Sequence, residues 1–379
     1  MENRNAADNR KSNFRFIVTA VLCAVSIACF IACVVVASVA IAKLDGGKTP
    51  VGTDKDCAFE TLYETYKYNA VELRVGDTYG TGFVYGVDGG EMYLFTNYHV
   101  SGGDVGRVQA RFYGTNEYAH YETTLVGRHE KYDVALLKIQ KFPKNPYVDL
   151  RKDGLVAEKA TVGKEILCLG NNLGRGIQAQ NGIISADSYV TDPLGGSLSG
   201  TDVIAVISVC APLNSGNSGA AVYDSDGKLV GMNSWRAVKN AAGEAVDGTC
   251  YLTPATVMAA MYENFVGNAA TEWGGFPYVT MNTGNYGALY IHDIGAELAF
   301  KNFELTVTVK TYDLTVPLED GDVITEFGAV EVKPCNFPSL IGELFKYSVR
   351  GKGKPLRISV KRGGRDYVFE IGKLKRLAA

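Results

Sequence analysis

The chain has 379 residues, with 38 Lys and Arg against 41 Asp and Glu, 46% hydrophobic residues, 43 Gly and 8 Cys. That length holds two or three domains at about 100–200 residues each, and the near-neutral charge lacks the basic field with which nucleic-acid binders displace phosphate counterions. Nucleic acid is therefore excluded as the expected partner; disorder is excluded by the apolar content, and a disulfide scaffold by the sparse cysteine.

The first element departs from this average. Residues 17–42 form a run of 26 without a charge, which at about 1.5 Å per residue outreaches a hydrocarbon core of about 30 Å. The run predicts a transmembrane helix. A cleaved signal peptide is the other reading, because Ala40-Ile41-Ala42 has the small-x-small pattern of a cleavage site. Signal h-regions normally span about 7–15 residues, so the length favours an uncleaved anchor. Arg4, Arg10, Lys11 and Arg15 precede the run, while Lys43, Lys48 and Lys55 follow it. By a thin positive-inside margin the tail 1–16 is cytoplasmic and the bulk of a single-pass membrane protein lies outside. Residues 43–60, rich in Gly, Lys and Asp around 45–56, read as a tether.

From 61 to 266 the chain shows short β-branched and aromatic runs punctuated by Gly, Asn and Asp, including residues 81–85, 91–96, 134–139 and 203–209. Such strand density predicts a mainly β sandwich or barrel. A helical pattern at 255–265 follows Pro254 and suits a helix closing the domain. Residues 267–275 are small and polar enough for a linker, so 267–379 form a further domain. There a helix is expected at 337–345, and Gly363-Gly364 is expected to turn a hairpin between alternating strands over 355–371. No internal repeat stands out in the sequence.

Three residues carry candidate chemistry. His99 closes the apolar run 94–100, Asp133 opens the run 133–139, and Ser218 lies in the turn 214–219 (NSGNSG) between two apolar strands. Each alone has an ordinary structural reading: a strand-end histidine, a strand-entry acid, a hairpin turn. Together they form a chemical set. A serine hydroxyl is a weak nucleophile that needs a base with a pKa near 7, which imidazole supplies, and the imidazole needs a carboxylate on its other nitrogen. Gly216 and Gly219 free the backbone to aim consecutive N–H groups into one concavity, as an oxyanion site requires.

Residues 80–85 (GTGFVY), 96–100 (TNYHV), 133–139 (DVALLKI), 169–174 (LGNNLG), 181–186 (NGIISA), 213–219 (LNSGNSG) and 227–233 (GKLVGMN) resemble, in order, the motifs of HtrA-type trypsin-like serine proteases. Residues 319–324 (EDGDVI) and 353–364 resemble the second half of a PDZ domain. The resemblance implies a chymotrypsin-like double β-barrel followed by a PDZ-like domain.

Carried over residue by residue, it implies Ser218 as nucleophile, His99 as general base and Asp133 as the group orienting His99, with the Gly216 and Ser218 amides as oxyanion hole. Asn233, Ser234 and Trp235 would be the edge strand that pairs with an extended substrate, and Leu213 and Tyr251 would stand near an apolar specificity pocket. The chain departs from the family in two places. Ala220 stands where a second glycine is usual, and the carboxylate-binding loop of the PDZ-like domain falls either near 276–279 or near 286–290. Cys210 and Cys250 are the best disulfide candidates, as neighbours on strands flanking the serine loop. No Cys/His spacing suits zinc, and the chemistry needs no cofactor. Implied partners are unfolded or extended polypeptides, C-terminal peptides at the PDZ-like groove, the membrane through 17–42, and further copies in a homo-oligomer, by analogy a trimer. The rival reading is a non-proteolytic peptide-binding sensor or holdase on the same scaffold.

Overall fold

A computed structural model describes residues 58–76, 78–102, 107–190, 204–237, 247–267, 279–281, 288–291, 294–301, 304–309, 317–333, 340, 343 and 355–371. Every described residue belongs to one compact unit, Asp56–Ala379. The expected tail and membrane segment lie outside the described residues, as does most of the helix expected at 337–345. Among the described residues no helix is long and apolar enough to cross a membrane.

Helix α1 (Ala58–Tyr66) begins inside the stretch expected as tether. Leu62 and Tyr66, four residues apart on one face, are both buried, which is why these residues coil onto the domain instead of remaining a linker. The Tyr66 ring stacks on Tyr223 at 3.9 Å between centroids, and its hydroxyl donates to the Gly227 carbonyl.

Strands β1 (Ala70–Val75), β2 (Thr78–Asp88), β3 (Glu91–Thr96), β4 (Arg107–Phe112), β5 (Ala119–His129) and β6 (Val134–Gln140) close a barrel in the order β1-β2-β3-β6-β5-β4. Strands β7 (Glu165–Asn171), β8 (Ile177–Val190), β9 (Ile204–Cys210), β10 (Ala221–Asp224), β11 (Leu229–Arg236) and β12 (Thr249–Pro254) close a second, in the order β7-β8-β9-β12-β11-β10. The two orders are one topology repeated six strands later, a repeat invisible as sequence because only the inward pattern has to be kept. Alternation fills the first barrel with Leu73, Val84, Leu94, Phe112 and Leu137, and the second with Ile166, Ile184, Val209, Val222 and Leu252. At the seam closing the first barrel, Glu72 faces Arg111 across β1 and β4, and the guanidinium grips the buried carboxylate with two bonds of 2.8 Å.

A one-turn helix α2 (Tyr98–Ser101) follows β3, and helix α3 (Ala255–Gly267) continues directly from β12. The buried side of α3 (Val257, Met258, Met261, Phe265) joins the cluster lying between the barrels. Phe265 lies where Gly127 leaves room: a Cβ there would stand 2.2 Å from its ring.

Beyond α3, strands β13 (Val279–Met281), β14 (Ala288–Ile291), β15 (Ala296–Lys301), β16 (Glu304–Val309), β17 (Val323–Phe327), β18 (Val330–Glu331), β19 (Leu356–Arg362) and β20 (Arg365–Ile371) form one antiparallel sheet of eight strands. Gly363 and Gly364, at φ 56° and 77°, make the tight turn between β19 and β20 that their sequence signalled. Arg362 anchors the start of β17 by donating from Nε and Nη2 to the buried Asp322 carboxylate at 2.7 and 2.8 Å.

Candidate active site

The site is built where the two barrels face each other, from the end of β3, the turn before β6 and the loop joining β9 to β10. Asn97 follows β3 and sets the first piece. Its buried amide donates to the Asp133 carbonyl at 2.9 Å and to Ser234 Oγ at 3.0 Å. Ser234 Oγ in turn meets Thr253 Oγ1 at 2.8 Å, and that hydroxyl donates to the Tyr132 carbonyl at 2.9 Å. A chain of short polar side chains thus ties both barrels to the residues flanking His99 and Asp133.

The 129–133 turn places the acid. Tyr132 is fully buried, and its hydroxyl accepts the Ala205 amide of β9 at 2.9 Å, so the turn is pinned to the second barrel. Asp133 then takes φ +53°, a left-handed conformation that Asp tolerates better than most residues, and this aims its carboxylate at α2. Oδ2 lies 2.6 Å from His99 Nδ1, and Oδ1 accepts the His99 amide at 2.9 Å. Burial raises the Asp133 carboxyl above its ordinary range, while the His99 ring and the His99 and Tyr98 amides pull it down. An ionised carboxylate only accepts, so with Asp133 ionised and the ring neutral the proton sits on Nδ1 and the lone pair on Nε2. The Asp133 side chain is 7% exposed and that of His99 49%, which leaves the ring open to solvent on its far side.

Ser218 sits in the loop between β9 and β10. This loop is held by the first barrel through Thr81 of β2, whose amide donates to the Ser218 carbonyl at 2.8 Å. The Thr81 hydroxyl donates to the Gly216 carbonyl at 2.7 Å and accepts the Asn171 amide at 2.8 Å. Gly216 and Gly219 adopt φ 92° and 87°, and neither tolerates a side chain: a Cβ would lie 2.1 Å from the Asn171 carbonyl oxygen and 1.9 Å from that of Thr81, respectively. Among the described residues the Gly216 and Ser218 amides donate to nothing, whereas the Asn217 amide between them bonds the Asn214 carbonyl at 3.1 Å. The Ser218 hydroxyl is likewise unbonded, and no hydrogen bond joins it to His99 in this state.

The fit of Ala220 has a local cause. Its methyl is buried in the second barrel against Gly170, where a Cβ would stand 2.9 Å away, so a glycine one strand over takes up the added bulk.

The structure revises three expectations around the loop. Asn233 is not on a free edge, because its carbonyl accepts the Gly219 amide and its amide donates to Ala220, both at 2.9 Å. The strand β10 starts at Ala221, opposite Met232, so it is 234–236 that run past it with one side unpaired by strand. Leu213 does not line an open pocket: it is 2% exposed and packs inside the second barrel. Trp235 is buried in the inter-barrel cluster opposite the half-buried Tyr251. The third revision concerns sulfur. Cys168, Cys210 and Cys250 are free thiols, and Cys210 and Cys250 are offset by one position, Cys210 pairing with Thr249 and Cys250 with Val209. Period-two alternation therefore turns Cys250 into the core and Cys210 out to solvent.

Sequence reasoning missed Thr81, Asn97, Tyr132 and Thr253 as parts of the site. Thr81 and Asn97 lie within the motifs at 80–85 and 96–100, yet an uncharged side chain in a strand gives no sign that it reaches across to another barrel. Among the described residues no three His, Cys, Asp or Glu side chains gather closely enough to hold a metal ion.

Residues 80–232 match the trypsin-like peptidase domain family. The chain is 25% identical over 297 residues to the serine protease Do-like HtrA of Lactobacillus helveticus, an overlap of 77% of this chain and 67% of that protein. It is 31% identical over 198 residues to a probable periplasmic DegP-like serine endoprotease of Rhizobium meliloti, covering 52% of this chain and 35% of the relative. A similar DegP-like protein of Marinomonas matches at 27% over 278 residues, 51% of its length, so the chain spans about a third to two thirds of these relatives. Among solved structures, the HtrA-type protease AlgW with tripeptide has a TM-score of 0.49 at 20% identity, over 83% of this chain and 96% of that one.

Proposed function

We propose that the chain, whose residues 80–232 match the trypsin-like peptidase domain family and which is similar to HtrA and DegP-like serine proteases, is a serine endopeptidase using His99, Asp133 and Ser218 as its triad. The observation that carries this reading is the closed His99–Asp133 pair at 2.6 Å beside a serine loop with two undonated amides. In acylation, His99 Nε2 takes the Ser218 proton as Oγ attacks the substrate carbonyl, and Asp133 stabilises the imidazolium through Nδ1–H. The Gly216 and Ser218 amides receive the oxyanion, a contribution worth about 10²–10³ in turnover per donor in other enzymes. The imidazolium then protonates the departing amine, and water repeats the sequence on the acyl-enzyme.

An extended polypeptide pairs with the free side of 234–236, gaining main-chain hydrogen bonds that do not depend on sequence. This suits unfolded protein as substrate in extracytoplasmic quality control. In the same reading residues 17–42 anchor the chain in the membrane with a cytoplasmic tail, 267–379 form a PDZ-like domain binding C-terminal peptides, and the protein assembles as a homo-oligomer. The Ser218→Ala variant tests the centre of the proposal: casein is degraded by the wild type and left intact by the variant. Equal degradation by both removes Ser218 as nucleophile and leaves the binding-only reading.

A further inference from the structure

Arg236 is the last residue of β11 and the outermost of the segment that runs past β10. It is exposed, and its Nη1 donates to Asn214 Oδ1 at 3.1 Å, so the guanidinium bridges from β11 to the loop carrying Ser218. Among the described residues it forms no ion pair, and that bond to a neutral amide uses one of its five donors. Asp247, two residues before β12, is turned onto its own chain and accepts the Gly248 amide at 2.8 Å. A guanidinium fork so placed, with no carboxylate partner among the described residues, has planar donors that match a carboxylate in two bonds.

Register says where a substrate would meet it. Ala221 pairs with Met232, and Asn233 exchanges hydrogen bonds with Gly219 and Ala220, so the paired part of β11 ends at Asn233 and the Ser218 loop turns away from it there. From there β11 runs outward through Ser234, Trp235 and Arg236. A substrate strand whose scissile carbonyl is at Ser218 and whose acyl side lies along this edge runs antiparallel to β11, one residue for one. Its first, second and third residues before the cut then face Ser234, Trp235 and Arg236. Directly opposed residues of an antiparallel pair share a face, with Cβ atoms about 4.5–5.5 Å apart.

We propose that Arg236 is a specificity-determining residue that selects Asp or Glu at the third position before the cleaved bond. This rests on the endopeptidase reading and deepens it. The carboxylate takes guanidinium donors left over by Asn214, at the rim of the cleft, so the preference is modest and salt-sensitive: about two- to fivefold in kcat/KM at low ionic strength, as for other exposed pairs, and largely screened at about 1 M salt.

The test is digestion of a proteome-derived peptide library by the full chain and by Ser218→Ala, Arg236→Gln and Arg236→Lys. The expected result is that the wild type cuts with acidic residues enriched about two- to fivefold at the third position, the range for an exposed pair. Arg236→Gln loses the enrichment, Arg236→Lys keeps part of it, and Ser218→Ala cuts nothing. Wild-type cleavage without enrichment at that position, or enrichment that survives in Arg236→Gln, overturns the assignment while leaving the endopeptidase reading intact. A library left uncut by the wild type overturns both.

Discussion

His99 Nδ1 stands 2.6 Å from Asp133 Oδ2, and the other oxygen of the same carboxylate accepts the backbone amide of His99 at 2.9 Å. Ring and main chain are thus held by one acid, which fixes the tautomer as well as the position. Asp133→Asn keeps the shape but offers an N–H where an acceptor is needed, so the ring turns its lone pair the wrong way. The expected outcome is a kcat lower by about 10⁴ with an unchanged far-ultraviolet circular dichroism spectrum; a loss under tenfold would remove Asp133 from the proposed triad.

Two glycines with the same sign of φ separate strain from crowding. Gly89 turns the β2–β3 hairpin at φ 55° with nothing near its missing Cβ, whereas Gly219, at φ 87°, has the Thr81 carbonyl oxygen 1.9 Å from that point. Gly89→Ala is expected to cost about 1 kcal/mol and to leave the cleavage rate alone. Gly219→Ala has to move Thr81 or the serine loop, and its kcat is expected to fall at least a hundredfold. Equal effects of the two substitutions in parallel urea titrations and casein assays would contradict the close packing of Gly219 against Thr81.

Thr81 acts on the site through the loop, as a positioning residue. Thr81→Val keeps the volume and removes the hydroxyl that serves both Gly216 and Asn171. A buried carbonyl and a buried amide then lose their partner, a cost of about 1–3 kcal/mol for each group left unsatisfied. The signature that separates positioning from general destabilisation is a kcat reduced about tenfold at a temperature where the variant is fully folded, with KM little changed and with recovery in Thr81→Ser. Tenfold here corresponds to about 1.4 kcal/mol. Failure of Thr81→Ser to recover would point to packing instead.

A buried histidine gives the fold an acid limit. His129 is 5% exposed, and its Nδ1 accepts the Tyr132 amide at 3.2 Å, an arrangement for the neutral ring. Burial pushes its pKa down to about 3, against about 6.5 in the unfolded chain. Above that unfolded value both states are neutral and the contribution is complete. As pH falls below about 6.5 the unfolded chain takes up a proton that the native ring refuses, so about 1.4 kcal/mol of stability is lost per pH unit. The loss continues until the native ring itself protonates near its own lowered pKa of about 3. Urea midpoints at pH 7 and pH 5 should therefore fall further for the wild type than for His129→Gln; parallel falls would show that His129 is not the group responsible.

Thiol mapping checks the sulfur assignments. Burial raises Cys168 well above the ordinary thiol range and Cys250 to about 11, while Cys210 is exposed. Iodoacetamide at neutral pH should label Cys210 in the native protein and reach Cys168 and Cys250 only after denaturation. A Cys210–Cys250 peptide found under non-reducing conditions would overturn the pairing of Cys210 with Thr249 and of Cys250 with Val209.

What was legible in the sequence was whatever a single residue type or a short period announces. The imidazole, the acid and the serine between glycines could be named because few side chains serve that chemistry, and the Gly363-Gly364 turn because few dipeptides accept two positive φ angles. Helix α1 was not read, since its signal is only Leu62 and Tyr66 meeting a surface made by distant residues. Leu213 and Asn233 were misplaced for a related reason: which face a strand residue presents depends on register, and register is set by partners far along the chain. The shared strand order of the two barrels left no trace, because many apolar residues satisfy one inward position equally well.

The bond from the Thr81 amide to the Ser218 carbonyl crosses from one barrel to the other. In the proposed triad His99 comes from the first barrel and Ser218 from the second, so on that reading neither barrel holds a working site alone. Turnover is consequently a readout of barrel docking, and a stress that parts the barrels silences the enzyme while each still keeps its own sheet. A nick in the segment between β6 and β7 should be harmless for as long as the halves stay clasped, and a sample inactivated by separation should regain activity by simple reassociation.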